Sequence, residues 1–94
     1  MGNVILIGYP EDWIRTLGKR IKKIHFCDFK RGSAELNGFV DLLEGDVNYP
    51  EVMKALKEIG YDNYVTLEMD PNYKMFPLHT IKSGMLAMDF ILAM

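Results

Sequence analysis

Two places in the chain concentrate side chains suited to chemistry. His25-Phe26-Cys27-Asp28-Phe29-Lys30-Arg31 sets an imidazole, a thiol, a carboxyl and a guanidinium close together at the end of a strand-like stretch. Glu68 interrupts the next strand-like stretch, Tyr64-Val65-Thr66-Leu67-Glu68-Met69, near its end. In parallel α/β folds, ligands gather beyond the carboxyl ends of strands. A histidine and a glutamate meeting there offer nitrogen and oxygen donors suited to zinc, manganese or a similar divalent ion. Spacing alone leaves both residues open, because a strand histidine is often satisfied by its neighbours and a glutamate ending a strand is often solvated.

The elements that would position them follow from hydrophobic pattern and punctuation. Val4-Ile5-Leu6-Ile7, closed by Gly8, reads as a short strand buried on both faces. Pro10 opens a helix with Glu11 and Asp12 in its first turn, Trp13, Ile14 and Leu17 on its inner stripe, and Gly18 as its stop. Residues 21–29 read as the second strand, followed by a polar loop over 30–37 and a brief extended segment at 39–43 that Gly45-Asp46 closes. Pro50 begins the clearest helix, with Val52, Met53, Leu56 and Ile59 on one face and Gly60 at its end. Residues 64–69 form the third strand, and Asp70-Pro71-Asn72 a turn. A last helix runs from about Pro77, with Leu78, Ile81, Met85, Met88 and Ile91 near one stripe and Leu86, Phe90 and Leu92 widening it. Strands alternating with helices indicate an α/β fold with a parallel sheet.

Composition narrows the function classes. The chain has 94 residues and a formal net charge of −2, a balance unlike that of a general nucleic-acid surface or a polybasic membrane surface. The basic run Lys19-Arg20-Ile21-Lys22-Lys23 has the simpler explanation of cations at a helix C-terminus. With one cysteine, Cys27, there is no internal disulfide, as expected in a reducing cytoplasm. No apolar run approaches the ~18 residues of a membrane span. Gly84–Met94 is nonetheless very apolar, carrying only Asp89, and reads as a buried helix or one that needs a partner.

Gly2-Asn3-Val4, Tyr9-Pro10-Glu11-Asp12-Trp13-Ile14 and residues 17–26 resemble, in order, the later part of the xylose-isomerase-like TIM-barrel superfamily. Glu44-Gly45-Asp46-Val47, residues 56–62 and Thr66-Leu67-Glu68 continue the resemblance along nearly the whole chain. The subgroup it is most similar to comprises sugar-phosphate isomerases and epimerases of the hexulose-6-phosphate isomerase and L-ribulose-5-phosphate 3-epimerase kind.

The resemblance implies a partial (β/α) barrel of about three parallel strand–helix units. In that superfamily a Glu, an Asp, a His and a second Glu hold one divalent metal (Mn, Mg, Zn or Co). The His matches His25 and the second Glu matches Glu68. Glu68 would then also be catalytic, one of an acid–base pair moving a proton beside a carbonyl through an enediolate. Arg31, six residues beyond the histidine, and Asn3 fall at substrate-facing positions, where a guanidinium binds phosphate or hydroxyl oxygens well. The family's ligand Asp would lie one residue before Met1, and its first Glu earlier still. Cys27 replaces a family lysine and is either a soft, oxidisable group or a small buried hydrophobe. The expectation is therefore a chain that binds sugar or sugar phosphate only when completed, with weak or no metal binding when isolated. A homo-oligomer formed through open strand edges and the apolar last helix is also expected. The alternative is a non-catalytic, self-associating α/β remnant or assembly module.

Overall fold

The computed structural model describes residues 1–32, 38–70 and 73–94. Its helices are α1 (Gly2–Ile5), α2 (Pro10–Leu17), α3 (Tyr49–Glu58) and α4 (Leu78–Leu92), and its strands are β1 (Ile24–Phe26), β2 (Asp28–Phe29), β3 (Phe39–Val40) and β4 (Val65–Leu67). β1 and β4 pair in parallel, with Ile24, His25 and Phe26 opposite Val65, Thr66 and Leu67. β2 and β3 form a small antiparallel pair. The α/β class holds and one parallel pair, consistent with a partial barrel, is formed, where the resemblance implies about three parallel strand–helix units.

The strand expected at Val4–Ile7 does not form: these residues belong to the single-turn helix α1 and the turn after it. Met1 and Gly2 lie against the end of β1, where the Met1 amine donates to the His25 carbonyl at 2.7 Å and the Gly2 amide to the Cys27 carbonyl at 2.9 Å. Gly2 packs so closely on the Asp28 backbone that a Cβ would come within 3.0 Å of it, and the chain turns away. Ile5 is buried while Leu6 and Ile7 are exposed. A short apolar run carries no period that separates strand from helix, and the surroundings decide. Residues 33–37 of the expected polar loop, and Pro71 and Asn72 of the expected turn, lie outside the described residues.

The second and third helices begin and end as their punctuation dictates. Asn48 caps α3 by accepting from the Glu51 amide at 3.3 Å, and Pro50 sits in its first turn. Gly60, at φ +67°, closes α3: its amide bonds to the Lys57 carbonyl and that of Tyr61 to the Leu56 carbonyl. This left-handed closure favours glycine. α2 and α3 lie side by side, with Arg15 donating to Glu58 at 2.7 Å and to Glu51 at 3.1 Å.

The side of β1 that carries Ile24 and Phe26 faces the core, and His25 between them is exposed. Ile24 and Phe26 are buried on that side, in the cluster that holds Tyr49, Val52, Leu56 and Ile91. α4 turns a different face inward from the stripe read in the sequence. Thr80, Gly84 and Ile91 are buried and Met88 is half-buried, whereas Leu78, Ile81 and Met85 are exposed. Gly84 explains the rotation, since a Cβ there would come within 2.6 Å of a Leu67 methyl. The bare glycine lets the helix backbone settle on β4 and points the bulkier side chains away. No helix among the described residues is long and apolar enough to cross a membrane.

Candidate functional site

Along β1 and β4 side chains alternate, and the positions not facing the core face outward together. His25 on β1 and Tyr64, Thr66 and Glu68 along β4 are all exposed on this second side. Because the strands are parallel and in register, His25 and Glu68 meet: His25 Nδ1 stands 3.5 Å from Glu68 Oε1, with side chains 51% and 52% exposed. The ladder continues one step past β4, the Glu68 amide donating to the Phe26 carbonyl at 2.9 Å, so the glutamate starts from a fixed backbone position. The two donors fit a shared divalent ion in type and separation. Ligands about 2.0–2.1 Å from a tetrahedral zinc stand about 3.3–3.4 Å apart. Among the described residues no group of three or more His, Cys, Asp or Glu side chains is placed to hold a metal.

Asn3 joins this pair. A cleft of about 530 Å³ between α2 and the edge of β1 is bordered by Asn3, Trp13, Lys23, His25 and Glu68. A smaller cavity of about 200 Å³ is lined by Asn3, Cys27, Phe39, Glu68, Met69 and Asp70. Asn3 and Glu68 border both. Cys27 is buried and donates its thiol to Asn3 Oδ1 at 3.3 Å, and among the described residues the carboxamide NH₂ of Asn3 has no hydrogen-bond partner. Of the two readings of this cysteine, the buried small side chain describes its packing, and the polar contact to Asn3 is an addition that the sequence did not signal.

Arg31 is directed elsewhere. Its guanidinium donates to the Ile5 carbonyl at 2.9 Å and the Gly8 carbonyl at 2.8 Å, and lies 4.6 Å from the centre of the Tyr9 ring. These contacts tie down the turn after α1 rather than meeting His25 or Glu68.

Asp28 organises the end of β1. Its buried carboxylate accepts from the amides of Phe29, Leu43 and Val47 at 2.9, 3.0 and 3.1 Å. A Cβ on Gly45 would overlap that carboxylate, so Glu44-Gly45-Asp46 needs its glycine to close around Asp28. Asp46 in turn accepts from the Arg31 amide at 2.6 Å. Behind β1, Tyr49 donates its hydroxyl to the Cys27 carbonyl at 3.1 Å, and burial pushes its phenol far above the usual tyrosine range. Asp28 stood out in the sequence as a carboxyl inside an apolar run, but its three partners are set by loop closure. Asp70 lines the smaller cavity together with Glu68, a proximity that its place in a turn does not signal in the sequence.

A family model, the xylose isomerase-like TIM barrel, matches residues 1–89. The chain belongs to that family. Its members include sugar isomerases and epimerases. Neither a curated protein nor a solved structure matches the chain. As a xylose isomerase-like chain it places His25 and Glu68 at the carboxyl end of a parallel pair, the end where barrels of this kind bind ligands.

Proposed function

We propose that this chain carries part of the catalytic site of a metal-dependent sugar-phosphate isomerase or epimerase. The observation behind the reading is the approach of His25 and Glu68, from adjacent parallel strands, to 3.5 Å. Both would hold the divalent ion, with further ligands from outside the described residues. The bound ion would stabilise negative charge on the substrate's carbonyl oxygen as an enediolate develops. Glu68 would take and return the proton on the adjacent carbon, as a carboxylate within hydrogen-bond reach of its substrate does. Asn3 would orient a substrate oxygen through its NH₂, held in place by Cys27. Arg31 enters as the anchor of the turn beside Asn3, because its guanidinium already serves two carbonyls.

A second reading, the non-catalytic, self-associating module, is favoured by one observation. α4 exposes Leu78, Ile81, Met85, Leu86 and Phe90 at once, more apolar surface than a lone helix face usually leaves to water. Calorimetric titration of Mn²⁺ separates the two. With two donors the isomerase reading expects at most weak binding by the wild-type chain, lost at least tenfold further in His25→Ala, about 1.4 kcal/mol, and tight His25-dependent binding only where the shell is completed. Equal binding by the two chains would remove the support for a metal at this pair.

A further inference from the structure

We infer that α4 is a self-association surface, pairing antiparallel with α4 of a second copy of this chain in a register set by two reciprocal ion pairs, Lys82 of each copy with Asp89 of the other. The inference rests on the self-association reading above and adds the surface, the partner and the register. It makes no use of His25 or Glu68.

The composition of the exposed face is the first argument. Thr80, Gly84 and Ile91 settle α4 on the rest of the chain, and the opposite side of the helix presents Ile81, Met85, Leu86 and Leu92 to solvent. Residues 78–92 include two fully charged side chains, Lys82 and Asp89, and both are exposed on this side as well. They lie two helical turns apart, about 10 Å along the axis, and so share one face. At about 100° per residue they run down its middle, with Met85 and Leu92 on one flank and Leu86 and Phe90 on the other.

Charge complementarity is the second argument, and it selects a second copy as the occupant. A twofold axis perpendicular to the helix, passing level with the midpoint of Met85 and Leu86, brings Lys82 level with Asp89 of the second copy and Asp89 level with its Lys82. The same axis sets Met85 against Met85, Leu86 against Leu86 and Ile81 beside Leu92, so apolar side chains flank both ion pairs. A parallel pairing in register opposes Lys82 to Lys82 and Asp89 to Asp89, and like charges facing each other are destabilising. In the antiparallel arrangement both charges meet their complements at once. The apolar flanks supply the attraction, and the ion pairs fix direction and register. A helix of 15 residues is about 22 Å long, and a contact of that length belongs with small interfaces of under about 1,200 Å² in total, so a weak dimer is expected.

The test is sedimentation velocity at low salt, from tens to hundreds of micromolar chain, on wild type, Lys82→Glu, Asp89→Lys, an equimolar mixture of those two variants, and the doubly reversed chain. Wild type is expected to dimerise, and each single reversal to weaken dimerisation at least tenfold with far-UV circular dichroism unchanged. The mixture should regain the dimer, because Lys82→Glu then faces Asp89→Lys and the native Asp89 of the first variant faces the native Lys82 of the second. The doubly reversed chain should regain it alone, which keeps the test decisive if one single variant folds poorly. Association that neither single reversal weakens overturns the α4 register and leaves self-association through another surface standing. A loss that neither the mixture nor the double reversal recovers overturns the ion pairing. A wild-type chain that stays monomeric throughout overturns both this inference and the self-association reading.

Discussion

Replacing Asp28 tests what fixes the end of β1, and with it the ground under Asn3 and Cys27. The side chain is buried and accepts from the Phe29, Leu43 and Val47 amides at 2.9, 3.0 and 3.1 Å. Hydrogen bonds involving a charged group each contribute about 1.5–3 kcal/mol, so three sum to roughly 5–9 kcal/mol before any relaxation. Two of the donors sit on the 42–47 loop, whose Leu43, Glu44 and Asp46 are exposed, so water reaches the freed amides once the loop shifts. The expected loss for Asp28→Ala is therefore about 3–5 kcal/mol, a large share of the roughly 5–15 kcal/mol typical of a domain. Asp28→Asn separates charge and donor geometry from shape. One amide oxygen can still serve Phe29 and Val47, but the NH₂ then faces the Leu43 amide, donor against donor, for a loss of about 1.5–3 kcal/mol. Urea denaturation followed by circular dichroism and by the fluorescence of Trp13 gives both values. If both variants stay within about 0.5 kcal/mol of wild type, the ordinary range of surface substitutions, the loop is not held by Asp28 and the reasoning fails.

Two further outcomes follow from packing and charge. Gly84→Ala would press a Cβ to within 2.5 Å of Met69 Sδ and 2.6 Å of Leu67, and overpacking of about 1–3 kcal/mol outweighs the ~1 kcal/mol gain in helix propensity. A net loss of about 1 kcal/mol in urea denaturation is expected, and a stabilised variant would refute the close approach of α4 to β4. Glu58 is held below the usual carboxylate range, chiefly by its hydrogen bond from Arg15. Its contribution is therefore present above the ordinary carboxyl pKa of about 4.3 and is lost as pH falls through the lower folded value. The difference in urea midpoint between wild type and Glu58→Gln should shrink on acidification and with added salt, since the pair is exposed. A difference that grows toward acid would show that the ion pair does not stabilise the α2–α3 contact.

Much of this chain was legible in its sequence, for local reasons. Pro10 and Gly18 bracket α2, and Asn48-Tyr49-Pro50 and Gly60 bracket α3, because backbone dihedrals and missing donors act within a few residues. The β-branched run at Val65–Leu67 became a strand, and the parity of Tyr64, Thr66 and Glu68 set their common side. The residue types at His25 and Glu68 raised the metal-site reading, and the parallel pairing of their strands brings the two side chains together. What depended on distant neighbours was not legible. Val4–Ile7 has strand composition, yet the packing of Gly2 on Asp28 turns it into a helix and a loop. The inward face of α4 is chosen by a glycine that lets backbone approach β4, overriding the larger apolar stripe. Arg31 has the chemistry of a substrate ligand but is drawn to the carbonyls of Ile5 and Gly8. Sequence periodicity reports which side chains share a face. Which face is covered, and whether two donors forty-three residues apart stand 3.5 Å from each other, is decided only when parallel pairing puts β1 beside β4.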